Sequence, residues 1–199
     1  MLFPVASSRS YPDSATFVAM SLFLAPPAAT EYAPFYHTYV KLIASDPLEA
    51  LRRQPQELRQ LLTGLTEEQG TFRYAPGKWS IKENLVHVLD TERIFAYRAL
   101  RIGRGDTTPL PGFEQDDYVP ASGADARTLA DILREYDTVR AASLSLLETF
   151  PAEAVGRLGT ASGQPVSVRA LAYIMPGHEA HHLNLLRERY LPGLSEAGI

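Results

Sequence analysis

Apolar residues recur at spacings of three, four and seven along four long segments of the chain, which is the period of an amphipathic helix. Residues 46–65 place six leucines at this spacing, with Pro47 suited to a first helical turn and Pro55 at an expected kink. Residues 125–150 repeat the period and stop before Pro151, which disfavours helix in the residue preceding it. Both segments are predicted to be helices with one buried face.

The other two segments carry signals for where they begin and end. WSIKENLVHVLDTERIFAYRALRIGRG opens with Ser80 and Glu83 in the S-x-x-E capping-box arrangement and closes at Gly103. PVSVRALAYIMPGHEAHHLNLLRERYLPG has Ser167 as a candidate cap, and Pro176 inside it is expected to bend the helix. Four long helices, with no alternating strand pattern and no internal repeat, predict an all-α fold, a four-helix bundle with long connecting loops.

The longest connection, residues 104–125, exceeds what an idealised bundle needs. It contains three prolines and the aromatic residues Phe113 and Tyr118. Loops of this length in a compact domain are functional lids or disordered segments, and the aromatic content favours an ordered lid.

Length and composition predict one domain. The chain has 199 residues, 45% of them hydrophobic, which suffices for a single core over residues 31–193. Residues 1–30 are predicted to be a leader that is either disordered or mis-annotated, in the second case with Met20 as the true start. Their apolar run, TFVAMSLFLAPPAA, resembles part of a secretory signal, but Asp13 and a weakly basic start favour a cytoplasmic protein. The run is also too short to span a bilayer, so no membrane partner is expected.

Charge and cysteine content narrow the partners and ligands. The net charge of -4 and the scattered Lys and Arg residues offer no basic stripe, so no nucleic-acid partner is expected. The chain has no cysteine, which excludes disulfides, thiolate ligands and a cysteine nucleophile. Any metal must therefore be held by His, Asp or Glu.

Three of the five histidines fall in PGHEAHHLNL, residues 176–185. Residues four apart share a helix face, so His178 and His182 can bind one ion, and His181 lies nearly as close to His178. His87 is the candidate third ligand because it lies in the middle of a predicted helix. A lone histidine there is more often a hydrogen-bonded core residue, but the pair on another helix of the bundle favours a three-His metal site.

The same stretch matches H-E-x-x-H, in which zinc peptidases use two histidines as ligands and the glutamate, here Glu179, as general base. Leu185 and Glu188 stand where the longer peptidase motif has Gly and His, and no histidine follows His182. A zinc metallopeptidase is therefore the less favoured alternative.

The segment YAPGKWSIKENLVHVLDTERIFAYRALRIGRGDTTPLPGFEQDDYV together with GHEAHHLNLLRERYL resembles the DinB superfamily, which includes DNA-damage-inducible proteins and bacillithiol transferases. The resemblance extends from Tyr32 to Leu191. It implies a four-helix bundle, a homodimer, and a divalent metal held by one histidine on the second helix and an H-x-x-x-H pair on the last. By position, these ligands are His87, His178 and His182.

A three-His site leaves coordination positions open, as catalytic sites do. The resemblance therefore implies a metal-dependent thiol S-transferase or related small-molecule enzyme, with a low-molecular-weight thiol as co-substrate. The alternative is a non-catalytic metal-binding protein of the stress response, whose pocket would be closed or lack polar groups. Nitrogen ligands suit Zn, Ni, Fe or Mn, and the sequence identifies no catalytic side chain.

Glu83, Asp90 and Thr91 lie within about 60° of His87 on an ideal helix, so each could hydrogen-bond a ligand imidazole. Helix capping or simple helix surface is the alternative role, above all for Glu83. Arg98 lies on the same face as His87, about three turns away. It could meet an anionic substrate only if the mouth of the bundle lies there, and a surface ion pair is the favoured expectation.

Overall fold

The computed structural model of the chain describes residues 22–198. Most of this part of the chain is helical, and the predicted all-α bundle is confirmed. In chain order the helices are α1 (His37–Val40), α2 (Pro47–Leu62), α3 (Ile81–Gly103), α4 (Gln115–Ala121), α5 (Leu129–Glu148), α6 (Ala152–Val155), α7 (Val168–Leu185) and α8 (Leu191–Ala197). The segment Leu186–Tyr190 between α7 and α8 is π-helical. The long helices α2, α3, α5 and α7 form the bundle.

Polar caps fix where the bundle helices begin. At α3, the Ser80 hydroxyl accepts a hydrogen bond from the Glu83 backbone N–H at 3.0 Å, and the Glu83 carboxylate accepts one from the Ser80 N–H at 2.8 Å. The predicted capping box is therefore confirmed. Ser167 caps α7 as predicted, accepting from the Ala170 N–H at 2.9 Å, and the Thr128 hydroxyl caps α5. Each cap satisfies a backbone N–H that the first helical turn leaves unpaired.

Two apolar clusters occupy opposite ends of the bundle. The first cluster includes Leu51, Phe95, Leu147 and Leu171, and the second includes Leu58, Leu85, Ile132 and Leu186. In α2 and α7 the chain meets the first cluster before the second, and in α3 and α5 it meets the second before the first. The helices α2 and α7 therefore run in one direction, and α3 and α5 run in the other.

This arrangement explains the long connections. Both α3 and α2 pack against α5 and α7, so α2 and α3 lie across the bundle diagonal although they are successive in the chain. The neighbours α3 and α5 run in parallel, so residues 104–128 have to return along the bundle before α5 can begin. The connection contains α4 and packs against α3.

A short hairpin precedes α7, which the hydrophobic pattern of the sequence did not indicate. Strands β1 (Leu158–Ala161) and β2 (Gln164–Ser167) pair antiparallel across a turn in which Ser162 and Gly163 have φ values of 52° and 74°. A Ser-Gly turn of this kind is a local signal, but four-residue strands are too short to show alternation. Leu110 bridges to Ala161, which fastens the long connection to the hairpin.

A buried polar layer separates the two apolar clusters. The Arg140 guanidinium, on α5, donates to Glu92 on α3 at 2.8 Å, to Glu179 on α7, and to the Leu51 carbonyl on α2 at 2.7 Å. The Tyr136 hydroxyl donates to the other Glu179 oxygen at 2.6 Å. Burial raises the pKa of Glu179, and the charge of Arg140 opposes this shift. One guanidinium thus joins all four bundle helices.

No helix in residues 22–198 has the length and apolar character needed to cross a bilayer. Residues 1–21 of the predicted leader lie outside the described residues. The boundary between leader and domain at residue 30 therefore stays a prediction. Downstream of them, Phe23 is buried in the first apolar cluster, and its carbonyl accepts a hydrogen bond from the Tyr173 hydroxyl at 2.9 Å.

Replacing Arg140 should destabilise the bundle strongly. Arg140→Met leaves the carboxylates of Glu92 and Glu179 buried without their cation, and we expect a loss of about 3–5 kcal/mol in the free energy of unfolding. The matched control on the same helix is Arg134→Met, whose ion pair with Asp131 leaves the Arg134 side chain 74% exposed. We expect the control to lose at most about 1 kcal/mol. Urea denaturation of the metal-free proteins measures both, and equal losses would contradict the role of the layer.

Candidate metal centre

Three imidazoles from two helices meet within the bundle. His87 comes from α3, and His178 and His182 lie one turn apart on α7. The Nε2 atom of His178 is 3.1 Å from Nε2 of His87 and 3.1 Å from Nε2 of His182. All three side chains are buried. The structure therefore brings together the three histidines that the sequence selected, and they form the three-His cluster.

Burial keeps the cluster uncharged. Desolvation lowers the pKa of His87 to about 4, with a smaller contribution from His181. The pKa values of His178 and His182 lie well below the usual range, first because of burial and then because of the neighbouring imidazoles. Neutral imidazoles with free lone pairs are the form that binds a metal.

One shared cation would satisfy the three Nε2 atoms better than hydrogen bonds among them. Nε2 of His178 can share one proton with only one of its two neighbours, which leaves the third nitrogen without a partner in a buried site. An ion bound by all three satisfies each lone pair. Two nitrogens bound at about 2.1 Å lie roughly 3.0 Å apart at a right angle and roughly 3.4 Å apart at the tetrahedral angle, a range that includes the observed 3.1 Å.

Aromatic side chains enclose the cluster. The Trp79 ring lies 4.6 Å from the His87 ring, and the Tyr39 ring meets His178 edge to face at 5.2 Å. Tyr39 reaches this position because α1 approaches α7 at Gly177, where an added Cβ would lie 2.3 Å from the Tyr39 carbonyl oxygen. The glycine before His178 thus permits the close approach of the two helices.

His181 stands outside the three-His cluster. It is more exposed than the other three, and its ring packs against Tyr39 at 5.6 Å and against His182 at 5.2 Å. Burial lowers its pKa. The side chain lines a cleft beside the cluster.

The three residues expected around His87 differ in their contacts. Glu83 caps α3 and forms an ion pair with Arg73 at 2.8 Å, as its alternative role anticipated. Asp90 pairs with Arg93 at 3.3 Å at the surface. Of the three expected residues, only Thr91 comes near the imidazole, with its hydroxyl oxygen 3.5 Å from Nδ1 of His87.

Glu179 belongs to the polar layer and not to the centre. Its carboxylate oxygens are taken by the Tyr136 hydroxyl and the Arg140 guanidinium. A peptidase base would have to be free to take a proton from water at the metal. The geometry therefore does not favour the peptidase interpretation of H-E-x-x-H.

A small cavity borders the other side of His182. Asn84, Tyr136 and Glu179 also line this cavity of about 10 Å³. Among the described residues, Nδ1 of His182 and Oδ1 of Asn84 are buried without a hydrogen-bond partner. The Nδ1–H of a metal-binding imidazole is normally hydrogen-bonded, and the cavity is close in size to one water molecule.

Two open clefts reach the three-His cluster. The first cleft, of about 350 Å³, is bordered by His87 and His182 together with polar groups that include Lys78, Asn84 and His181. The second cleft, of about 250 Å³, is bordered by His178 and Thr91. Three residues border both clefts and divide them: Tyr39, Gln115 and Asp116.

The long connection borders both clefts, as a lid would. Gln115 and Asp116, at the start of α4, border both of them, and Phe113 lines the second cleft. Tyr118 does not line either cleft and packs against Phe113 at a ring distance of 5.5 Å. The aromatic content of the loop therefore serves partly to hold Phe113 in place.

Sequence reasoning missed Tyr39 and misplaced Arg98. Tyr39 lies far from the histidine motifs in the sequence, and no local pattern links the two. The aromatic role of Trp79 had a local signal, since it precedes the helix that carries His87. Arg98, expected in a surface ion pair, is instead only 3% exposed.

Comparison with known proteins agrees with this description. The family model of the DinB superfamily matches residues 50–186. A structure with a similar fold is YfiT from Bacillus subtilis, described as a probable metal-dependent hydrolase with an unusual four-helix bundle topology. It is 14% identical, with a TM-score of 0.67, and the match covers 86% of this chain and 93% of YfiT. No curated protein matches the sequence significantly.

Removing single histidines should identify the ligands. We expect His87→Ala, His178→Ala and His182→Ala each to weaken metal binding by more than the ~10–100-fold that follows loss of a residue that only orients a ligand. His181→Ala should bind metal nearly as well as the unchanged protein. Calorimetric titration of the metal-free proteins with Zn²⁺ measures these affinities. A loss of zinc affinity in His181→Ala as large as in His178→Ala would contradict the choice of His178 and His182 as the ligand pair.

Proposed function

The chain belongs to the DinB superfamily, and we propose that it is a cytoplasmic metal-dependent enzyme that transfers a low-molecular-weight thiol to a small electrophile. The metal would be a divalent ion held by His87, His178 and His182. When bound, such an ion lowers the pKa of an incoming thiol and so supplies a nucleophile that the cysteine-free chain lacks.

The observation that carries this proposal is the position of the three-His cluster between two clefts. Two clefts at one centre would let a thiol and an electrophile approach it from different sides. The first cleft reaches His87 and His182, and the second reaches His178. Tyr39 stands between them and would keep the two substrates apart until they meet at the cluster.

Polar groups in the first cleft support catalysis over a purely structural metal. Lys78, Asn84 and His181 offer hydrogen-bond donors or acceptors beside the cluster. A non-catalytic metal-binding protein of the stress response would be expected to have a closed pocket or one without such groups. The open, polar cleft therefore favours an enzyme.

Hydrolysis is the second candidate, because the similarly folded YfiT is described as a probable metal-dependent hydrolase. A hydrolase needs one organic substrate and water, so a second cleft of about 250 Å³ would have no evident use. Both activities would use the same imidazoles, and product analysis separates them.

Thiol binding at the centre should be visible by spectroscopy. We expect a cobalt-substituted sample to develop a sulfur-to-cobalt absorption band when a small thiol is added, because a three-His site leaves positions open for exchange. An alcohol of the same carbon skeleton is the control and should give no such band. The proposal fails if no thiol alters the spectrum and chelation changes the melting temperature but no tested activity.

We also propose a homodimer, as the family resemblance implies. Sedimentation at tens of micromolar should give twice the mass of one chain. A single species with the mass of one chain at that concentration would reject this proposal.

A further inference from the structure

Two buried polar atoms belong to residues that line the small cavity beside His182. Asn84 is 2% exposed and His182 is 6% exposed. Among residues 22–198, neither Oδ1 of Asn84 nor Nδ1 of His182 has a hydrogen-bond partner. Buried polar atoms are rarely left unpaired, because each has lost its hydrogen bonds with water. The two atoms therefore point to a bound molecule that pairs with both.

The orientation of the Asn84 amide follows from its contact with Tyr190. The Tyr190 hydroxyl donates its only proton to the Trp79 carbonyl at 2.9 Å, so its oxygen can only accept a further hydrogen bond. Burial raises the pKa of Tyr190 to about 12, and the hydrogen bond with Asn84 opposes this rise, as a donor to the phenol oxygen does. The amide NH2 group of Asn84 therefore faces Tyr190, and its Oδ1 atom is left to accept from another group.

The other polar groups at the small cavity are acceptors as well. Tyr136 lines the cavity, and its hydroxyl proton is already donated to Glu179 at 2.6 Å. The Glu179 carboxylate also lines the cavity, and it accepts this hydrogen bond and another from Arg140. The remaining lining residues are apolar, namely Leu58, Leu85, Val88, Leu183 and Leu186. A molecule in the cavity must therefore supply donors to these acceptors.

One water molecule satisfies these groups. A cavity of about 10 Å³ is close to the size of a single water and too small for anything larger. The two protons of the water pair with Oδ1 of Asn84 and with the Tyr136 oxygen, so only a lone pair remains for His182. Nδ1 of His182 must then carry the proton of the neutral imidazole. The Nε2 atom of His182, which lies 3.1 Å from Nε2 of His178, keeps the lone pair that binds a metal.

We propose that the small cavity binds one water molecule that joins Nδ1 of His182 to Asn84 and Tyr136. Asn84 then acts as a positioning residue, because the water that it holds fixes the His182 imidazole in the tautomer that a metal requires. The same water links the three-His cluster to the polar layer, since the Tyr136 hydroxyl donates to Glu179. The effect on a metal rests on the proposed function, whereas the water and the tautomer are expected in the metal-free chain as well.

The tautomer is tested in the full chain without metal. Nitrogen-15 NMR of a histidine-labelled, EDTA-treated sample should show His182 with a protonated Nδ1 and an unprotonated Nε2, and comparison with His182→Ala assigns the signal. The Nδ1–H proton should also show a nuclear Overhauser effect to a bound water. In Asn84→Leu the preference for a proton on Nδ1 should be lost. A role of Asn84 in packing alone would not decide which nitrogen carries the proton.

Zinc affinity tests the positioning role. Asn84→Leu has nearly the same volume without polar atoms, and it should weaken zinc binding in calorimetric titration by about 10–100-fold. Asn84→Asp keeps an acceptor but loses the amide NH2 group, and it should lose at most about threefold in affinity. The control is Gln54→Leu, which removes another buried amide, one that donates to the Pro176 carbonyl at 2.7 Å. Since Gln54 does not line the cavity, this control should change zinc affinity by at most about threefold.

Several outcomes would overturn the proposal. These are a proton on Nε2 of His182 in the unchanged protein, no bound water at Nδ1, an unchanged zinc affinity in Asn84→Leu, and an equal loss in Gln54→Leu. If Asn84→Leu does not fold, the spectrum of the unchanged protein and the zinc affinity of Asn84→Asp decide, and a loss of about tenfold in Asn84→Asp contradicts the role of the acceptor. If zinc does not bind at all, the proposed function fails while the metal-free spectrum still tests the water and the tautomer.

Discussion

The buried charge of Arg140 is the constraint on which the rest of the structure depends. Two buried carboxylates and one carbonyl compensate the Arg140 guanidinium, and they lie on three other helices, at Glu92, Glu179 and Leu51. Satisfying this one group therefore sets the relative positions of α2, α3, α5 and α7. Glu179 directly follows His178 in the chain, so the contacts that align the helices also align the imidazoles.

Much of the fold could be predicted from the sequence because its signals are local. The helical period, the capping box of Ser80 and Glu83, and the i, i+4 spacing of His178 and His182 each involve residues close in the chain. The partners of Arg140 and the place of Tyr39 could not be predicted, since they depend on which helices lie side by side. Hydrophobic periodicity likewise does not show that α3 and α5 run in the same direction, although this direction accounts for the long connection between them.

Arg98 shows the same limit at the candidate site. Its helix position was readable, and it lies on the face of α3 that carries Thr91. Its burial could not be predicted from the sequence, because distant parts of the chain cover it. These are the residues around Pro111 and the turn at Ser162. The topology that forces residues 104–128 to return along the bundle thus also supplies the cover of the second cleft.

The close approach at Gly177 has a consequence for how the site could diversify. The wall between the two clefts includes Tyr39 of α1, a four-residue helix outside the bundle. Helix α1 can pack this close to α7 because Gly177 has no side chain. The polar layer around Arg140 and the two helices that carry the imidazoles do not include α1, although Val40 and Tyr39 pack against the first apolar cluster. A lineage could therefore merge or reshape the two compartments by changing α1 or position 177, and so acquire new substrates while the centre itself is inherited unaltered.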